Sequence, residues 1–218
     1  VPDGTKFSRQ VHGSAVWCVV GEERLDRPSP APTGESEGSA RPAPPEADAV
    51  LGRAPGSSVG IVTADCVPIL AAAVDGSAVV AIHAGWRGLA VGVIESGLDA
   101  LRAAAPGREI AAAIGPSARG CCYEVDDPVR RALGRRYRLD LESGVLRPTR
   151  AGHFLLDLPL LAERVLVGWG LDPTRVGTRH RDCTICDPAR FDSYRRDGGA
   201  AGRMRHFIVR SPGPESRG

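Results

Sequence analysis

At 218 residues the chain is long enough to bury a sizeable core, and its 28 Lys and Arg against 26 Asp and Glu leave a formal charge of +2. So even a balance gives no electrostatic footprint for nucleic acid or an anionic membrane, which leaves small-molecule chemistry as the better expectation. No apolar stretch reaches the ~20 residues of a membrane span and nothing near Val1 resembles a secretory leader, so a cytoplasmic location is expected by default.

In chain order, Val16 to Val20 reads as a short strand. It is followed from Gly21 to Glu46 by a segment rich in Pro, Gly, Ser and Glu, which has too little apolar surface to offset its ordering entropy and is expected to form a mobile insertion at 21–46 within a single domain spanning 1–218. From Val59 the runs VGIVTA, VPILAAAV and AVVAIHA are short, apolar and β-branched, the pattern of buried strands. After His83, Leu89, Val93, Ile94, Leu98 and Leu101 recur at helical spacing until Pro106-Gly107 stops the run. Ile110 to Ile114 predicts a strand, Asp127-Pro128 opens a helix through Tyr137, Leu155 to Trp169 predicts a helix whose start Pro159 restricts, and Met204 to Val209 is a last strand. Strands and helices mixed without strict βαβ alternation, and without an internal repeat, predict an α+β fold of mixed β-sheet layers flanked by helices.

The candidate chemistry is metal-centred. Cys66 ends one strand-like run and His83 ends the next, with a turn at Asp75-Gly76 between them. If those runs pair, the two residues lie close. His12, in QVHG, is the best candidate for a third ligand. Imidazole and thiolate are the softer protein ligands and suit zinc or copper rather than magnesium or calcium, and three protein ligands leave a fourth position open for catalysis. The plain alternative is that each histidine is simply hydrogen-bonded and Cys66 is a small core hydrophobe; spacing alone leaves both readings standing.

The six cysteines suggest no disulfide framework and are read as reduced. Cys183-Thr-Ile-Cys186, a single C-x-x-C without a second ligand pair, is weak as a zinc signal and lacks a thioredoxin-like setting; it is read as structural or as lining a pocket. The vicinal Cys121-Cys122 is read as two reduced, partly buried thiols. His153, His180 and His206 have no ligand-like neighbours and are taken as surface or supporting residues. For anion binding, Arg87 precedes an expected helix N-terminus, where backbone N–H groups favour negative charge. Arg195 and Arg196 offer guanidinium forks, with a solvated charged turn as the alternative. Trp86 and Tyr123 could stack on a flat base or serve only as packing. Asp65, beside Cys66, is the nearest carboxylate in sequence, as a proton shuttle or as a residue orienting a ligand.

QVHG, TADCVPIL, IHAGWRGL, AIGPSARGCCYEV, the DL of FLLDL and RDCTICDPARFDSYRRDGGAAGR follow one another in this order. Together they resemble the laccase-domain, polyphenol oxidase-like family, also described as YfiH-type purine nucleoside phosphorylases, from about Gln10 to about Val209. The resemblance implies a single-domain α+β fold with a metal pocket, and carries the ligands over onto His12, Cys66 and His83 as the metal and catalytic set. It implies zinc-dependent phosphorolysis of adenosine, inosine, guanosine or methylthioadenosine to a free base and ribose 1-phosphate, with adenosine deamination as a companion. Arg87 is the candidate phosphate contact, with Arg196 as a second substrate-binding residue. The expected partners are therefore a purine nucleoside and phosphate, with no nucleic acid and no membrane. Members of the family carry several dozen residues before QVHG, whereas this chain reaches His12 almost at once, and the insertion after Gly21 is a second departure. The rival reading is a copper-dependent polyphenol oxidase, and a third is a non-catalytic protein with a closed structural zinc site.

Overall fold

The structure, a computed structural model, describes residues 1–19, 43–139, 144–178 and 182–211. Most of the expected insertion at 21–46, and His180 with it, lie outside the described residues. The architecture is α+β, as the mixed element pattern predicts.

A six-stranded mixed sheet forms the centre. Its strands are β2 (Val16–Val19), β3 (Ala49–Gly52), β5 (Val67–Ala73), β6 (Val79–Ala84), β7 (Ile110–Ile114) and β11 (Val176–Gly177), ordered β11-β7-β5-β6-β3-β2. A second sheet of β1 (Lys6–Phe7), β4 (Ser58–Thr63) and β12 (Met204–Val209), ordered β1-β4-β12, packs across β3, β5 and β6. The helices α1 (Trp86–Val91), α2 (Val93–Ala104) and α4 (Leu158–Gly168) adjoin the same central strands, α2 lying over β3 and β6. All six residues of β6 and all four of β3 are buried, because each strand has packed layers on its two faces; that is why they read as unbroken apolar runs rather than alternating ones. The core divides accordingly, with Ile69, Ile82, Leu98 and Leu101 in one cluster and Val50, Val59, Ile61 and Ala81 in the other.

A third sheet, β8 (Glu124–Asp126), β10 (His153–Leu156) and β9 (Leu146–Pro148), is preceded by the turn that holds Tyr123 and is followed in sequence, after β8, by α3 (Asp127–Gly134). Finally α5 (Tyr194–Asp197) leads toward β12.

The helix expected after His83 is two helices. Gly85 caps α1, and Gly92, at φ +85° in the left-handed region open to glycine, ends α1 and starts α2. Leu89 is buried from α1, and Val93, Ile94, Leu98 and Leu101 are buried from α2. The expected helix from Leu155 begins later. Residues His153–Leu156 pair as β10, Asp157 then caps α4 by accepting from Leu160 N–H at 3.0 Å, and Pro159 occupies the first turn, where its missing donor costs nothing. The helix opening at Asp127 stops at Gly134, short of Tyr137, whose hydroxyl instead donates to Leu89 O at 2.9 Å.

Candidate metal centre and cleft

β5 and β6 run antiparallel with Val67 opposite Ala84 and Pro68 opposite His83. Cys66, immediately before β5, and His83, near the end of β6, therefore reach the same edge of the central sheet. His12 arrives from a loop. Gln10 mimics a strand residue, its Oε1 accepting from Val62 N–H at 2.7 Å and its Nε2 donating to Val62 O at 2.8 Å, so the loop is held against β4. His12 itself has φ +61°, a left-handed conformation that side chains other than glycine adopt uncommonly.

What holds that conformation is Asp48, which is fully buried. Its two carboxylate oxygens accept the backbone N–H groups of Val11, His12 and Gly13 at 3.1, 3.0 and 2.7 Å. Oδ1 also lies 2.8 Å from His83 Nδ1. Burial pushes the Asp48 carboxyl up, but the His83 bond and the backbone donors outweigh it and leave its pKa below the usual value. Sequence reading overlooked Asp48. The available signal was a carboxylate inside the apolar run Ala47 to Leu51, where an acid must be paired to be buried.

With Nδ1 engaged by Asp48, Nε2 is the His83 atom left for a ligand, the usual arrangement in which a carboxylate orients a metal-binding imidazole. One donor atom each from His12, Cys66 and His83 lie within 4.8 Å of one another. His12 Nε2 stands 3.9 Å from Cys66 Sγ, and the two imidazole rings meet edge-on with centroids 4.9 Å apart. Tetrahedral zinc with bonds of about 2.0–2.3 Å separates its donors by about 3.3–3.8 Å, so this set fits the ion with small adjustments. Gly85 makes room for it: a Cβ there would stand 2.8 Å from Cys66 Sγ and 3.0 Å from His12 Cδ2.

The electrostatics agree with the donor set. Burial raises the Cys66 pKa, yet hydrogen bonds and charge from His12 and His83 bring it down to about 7. Burial opposes protonation of His83, while Asp48 and Cys66 favour it and raise its pKa to about 9. The thiolate, the form that binds metal, is thereby accessible near neutral pH.

A cleft of about 540 Å³ opens over these residues, with Trp86, Tyr123 and Tyr194 and the cations Arg87, Arg195 and Arg203 in its walls. Arg87 sits within the first turn of α1 rather than before it, and its guanidinium lies 4.5 Å from the Trp86 ring centre. Arg195 and Arg196 separate. Arg195 lies 4.7 Å from the Tyr123 ring and donates to Glu124 O at 2.8 Å. Arg196 is absent from the cleft wall; its guanidinium donates to Thr184 O at 2.9 Å, to Phe191 O at 3.0 Å and to Asp197. Consecutive residues of a short helix point in different directions, so one arginine of the pair faces the cleft while the other binds the chain.

Asp65, also at positive φ (+93°), accepts from Thr184 Oγ1 and from Arg195 N–H, each at 2.6 Å. It anchors the wall that carries Arg195. His206, taken from the sequence as a surface or supporting residue, is part-buried on β12, with Nε2 2.8 Å from Thr63 Oγ1. His153 Nδ1 lies 3.0 Å from Ala151 O. The two cysteine pairs, read separately in sequence, meet in space: Cys122 Sγ is 3.3 Å from Cys183 Sγ and 3.2 Å from Cys186 Sγ.

Residues 1–211 match the family described as multi-copper polyphenol oxidoreductase laccase. The chain is 38% identical over 200 residues to a purine nucleoside phosphorylase of Xylella fastidiosa (strain Temecula1), covering 90% of this chain and 69% of that protein. It is 34% identical over 167 residues to adenosine deaminase RL5 from an unknown prokaryotic organism, covering 75% of this chain and 62% of that one. The fold is similar to the crystal structure of Bacillus licheniformis hypothetical protein YfiH, with a TM-score of 0.77 at 29% identity over 93% of this chain and 73% of that structure.

Proposed function

The chain belongs to the multi-copper polyphenol oxidoreductase laccase family, and from that premise we propose that it is a zinc-dependent purine nucleoside phosphorylase that also deaminates adenosine. The observation that carries this reading is a three-donor centre, His12, Cys66 and His83, in one cleft with three arginines and three large aromatic side chains. A zinc ion held by those three residues would supply Lewis-acid polarisation of whatever occupies its open fourth position, water included.

The chain's own side chains account for the rest. Arg195, fixed by Tyr123 and Glu124 O, presents a guanidinium to a phosphate oxyanion, with Arg87 and Arg203 in the same wall. Tyr123, Trp86 and Tyr194 offer faces on which a purine can stack. In phosphorolysis a phosphate oxygen bonds to the anomeric carbon as the bond from that carbon to the base breaks, and the base departs with the electron pair and takes up a proton. Guanidinium groups that concentrate the anion beside a sugar developing positive charge lower that barrier by position and by field. Adenosine, inosine, guanosine and methylthioadenosine share the purine and ribose these surfaces would hold. No described helix is long and apolar enough to cross a membrane.

Copper oxidase chemistry, which the family's description preserves, is the rival. Four-electron reduction of oxygen needs several coppers, and the cleft's His/Cys donor cluster among the described residues, His12, Cys66 and His83, has ligands for one ion. Incubating the protein with adenosine, with and without phosphate, separates the readings. Phosphate-dependent adenine release, lost in Cys66→Ala together with one equivalent of bound metal, is the expected result. Oxygen-dependent phenol oxidation by copper-loaded protein without adenine release would establish the rival, and full turnover in a Cys66→Ala chain that has lost that equivalent would refute the ligand assignment.

A further inference from the structure

Cys121, Cys122, Cys183 and Cys186 form a second cluster of donors, separate from the His12, Cys66 and His83 set. Cys121 and Cys122 lie in the turn after β7, and the other two lie about sixty residues on, in the turn-rich stretch before α5. Backbone bonds bring the stretches together: Thr184 N–H donates to Ser117 O at 3.2 Å, and Ser117 and Cys183 pair as an isolated bridge. The sulfurs are mutually close, with Cys121 3.5 Å from both Cys122 and Cys186, and Cys122 3.3 Å from Cys183 and 3.2 Å from Cys186. A disulfide would need about 2.05 Å. Four thiolates on one zinc, with bonds of about 2.3 Å, stand about 3.8 Å apart, a few tenths of an ångström outside the observed spacing.

These are not core thiols. Cys121 and Cys186 are exposed, Cys122 and Cys183 are half-buried, and none belongs to either hydrophobic cluster, so apolar packing does not explain four sulfurs turned on one point. We propose that Cys121, Cys122, Cys183 and Cys186 form a second metal centre, a closed tetrathiolate zinc site that fastens the turn at 117–123 to the stretch at 182–187. Four protein ligands fill the tetrahedron, so this centre is structural, in contrast to the three-ligand set in the cleft.

Its position gives it a task. Tyr123 follows Cys122 directly and stacks on Arg195, while Thr184, between the other two ligands, holds Asp65, which in turn holds Arg195 N–H. Arg196 donates to Thr184 O and Ile185 O inside the same C-x-x-C loop. The zinc would therefore brace the aromatic and cationic wall of the cleft from outside, without touching a substrate.

The test counts metal on the full chain purified anaerobically with a non-thiol reductant. Cys66→Ala is expected to retain about one zinc per chain, and adding Cys183→Ser and Cys186→Ser is expected to remove it. Cobalt-substituted Cys66→Ala should show the intense sulfur-to-cobalt charge transfer of an all-thiolate tetrahedral site. Should the triple variant fail to fold, the metal count and cobalt spectrum of Cys66→Ala decide the matter alone. A Cys66→Ala chain without stoichiometric metal, or peptide mapping that finds a disulfide among these four residues, would overturn the proposal. If the cleft holds no ion, the unmutated chain and Cys66→Ala carry the same single equivalent, so failure of that reading is distinguished from failure of this one.

Discussion

Asp48 and His83 are joined in the interior, Oδ1 to Nδ1 at 2.8 Å, with side chains 0% and 4% exposed. Because the same carboxylate accepts three consecutive backbone N–H groups from Val11 to Gly13, one acid orients both candidate imidazole ligands, the first through the chain and the second through its ring.

Asp48→Asn tests that arrangement. An amide replaces one acceptor oxygen with a donor, which must then face N–H groups that already donate. Affinity for metal at the cleft is expected to fall about 10–100-fold, and the fold to lose about 2–4 kcal/mol, the scale for breaking a buried charged hydrogen-bond network. Competition with a chromophoric chelator measures the first, taking the equivalent lost in Cys66→Ala as the cleft's, and urea unfolding measures the second. Unchanged affinity would remove Asp48 from its positioning role.

Gly85→Ala isolates the space beside the ligands. Gly85 has φ −76° and ψ 166°, which alanine adopts freely, so the change acts only through a Cβ 2.8 Å from Cys66 Sγ. Metal at the cleft and turnover should be lost together, while stability falls by only about 1–3 kcal/mol, as for overpacking. Metal analysis with circular dichroism checks this, and a variant with full metal and full rate would contradict it.

Arg195→Ala and Arg196→Ala should differ in kind. Loss of Arg195 is expected to raise KM for phosphate about 10-fold or more with little change in melting temperature, since its charge lies in the cleft wall. Loss of Arg196 removes donors to Thr184 O and Phe191 O and is expected to cost about 1–3 kcal/mol of stability. Steady-state kinetics beside thermal melts of both variants decide it; the reverse pattern would move the anion contact to Arg196.

His206 gives a pH signature. Burial alone lowers its pKa to about 4, against an ordinary value of 6.5. As pH falls, the unfolded chain takes up this proton first, so stability is full above about pH 6.5 and drains away toward about pH 4. Between pH 7 and 5 this group is expected to cost about 1–2 kcal/mol, and His206→Asn should lose correspondingly less over that interval. Urea midpoints of both proteins at the two pH values provide the comparison, and parallel losses would exclude His206 as the source.

Local order determined much of this protein. Apolar, β-branched runs marked β4, β5, β6 and β7, and a last such run marked β12, which alternates half-buried and exposed residues; the adjacency of β5 and β6 across Asp75-Gly76 was enough to bring Cys66 and His83 to one edge. Short-range patterns could not reveal which residues become partners across tens of positions. The left-handed turn at His12 depends on Asp48, 36 positions away, and the division of labour between Arg195 and Arg196 depends on a two-direction split at the start of a four-residue helix. The two cysteine pairs, each weak as a signal alone, acquire meaning only when Ser117 and Cys183 pair. Donor atoms make a site by converging within a few ångströms, and convergence between distant segments is decided by packing of the layers, not by neighbours in the chain.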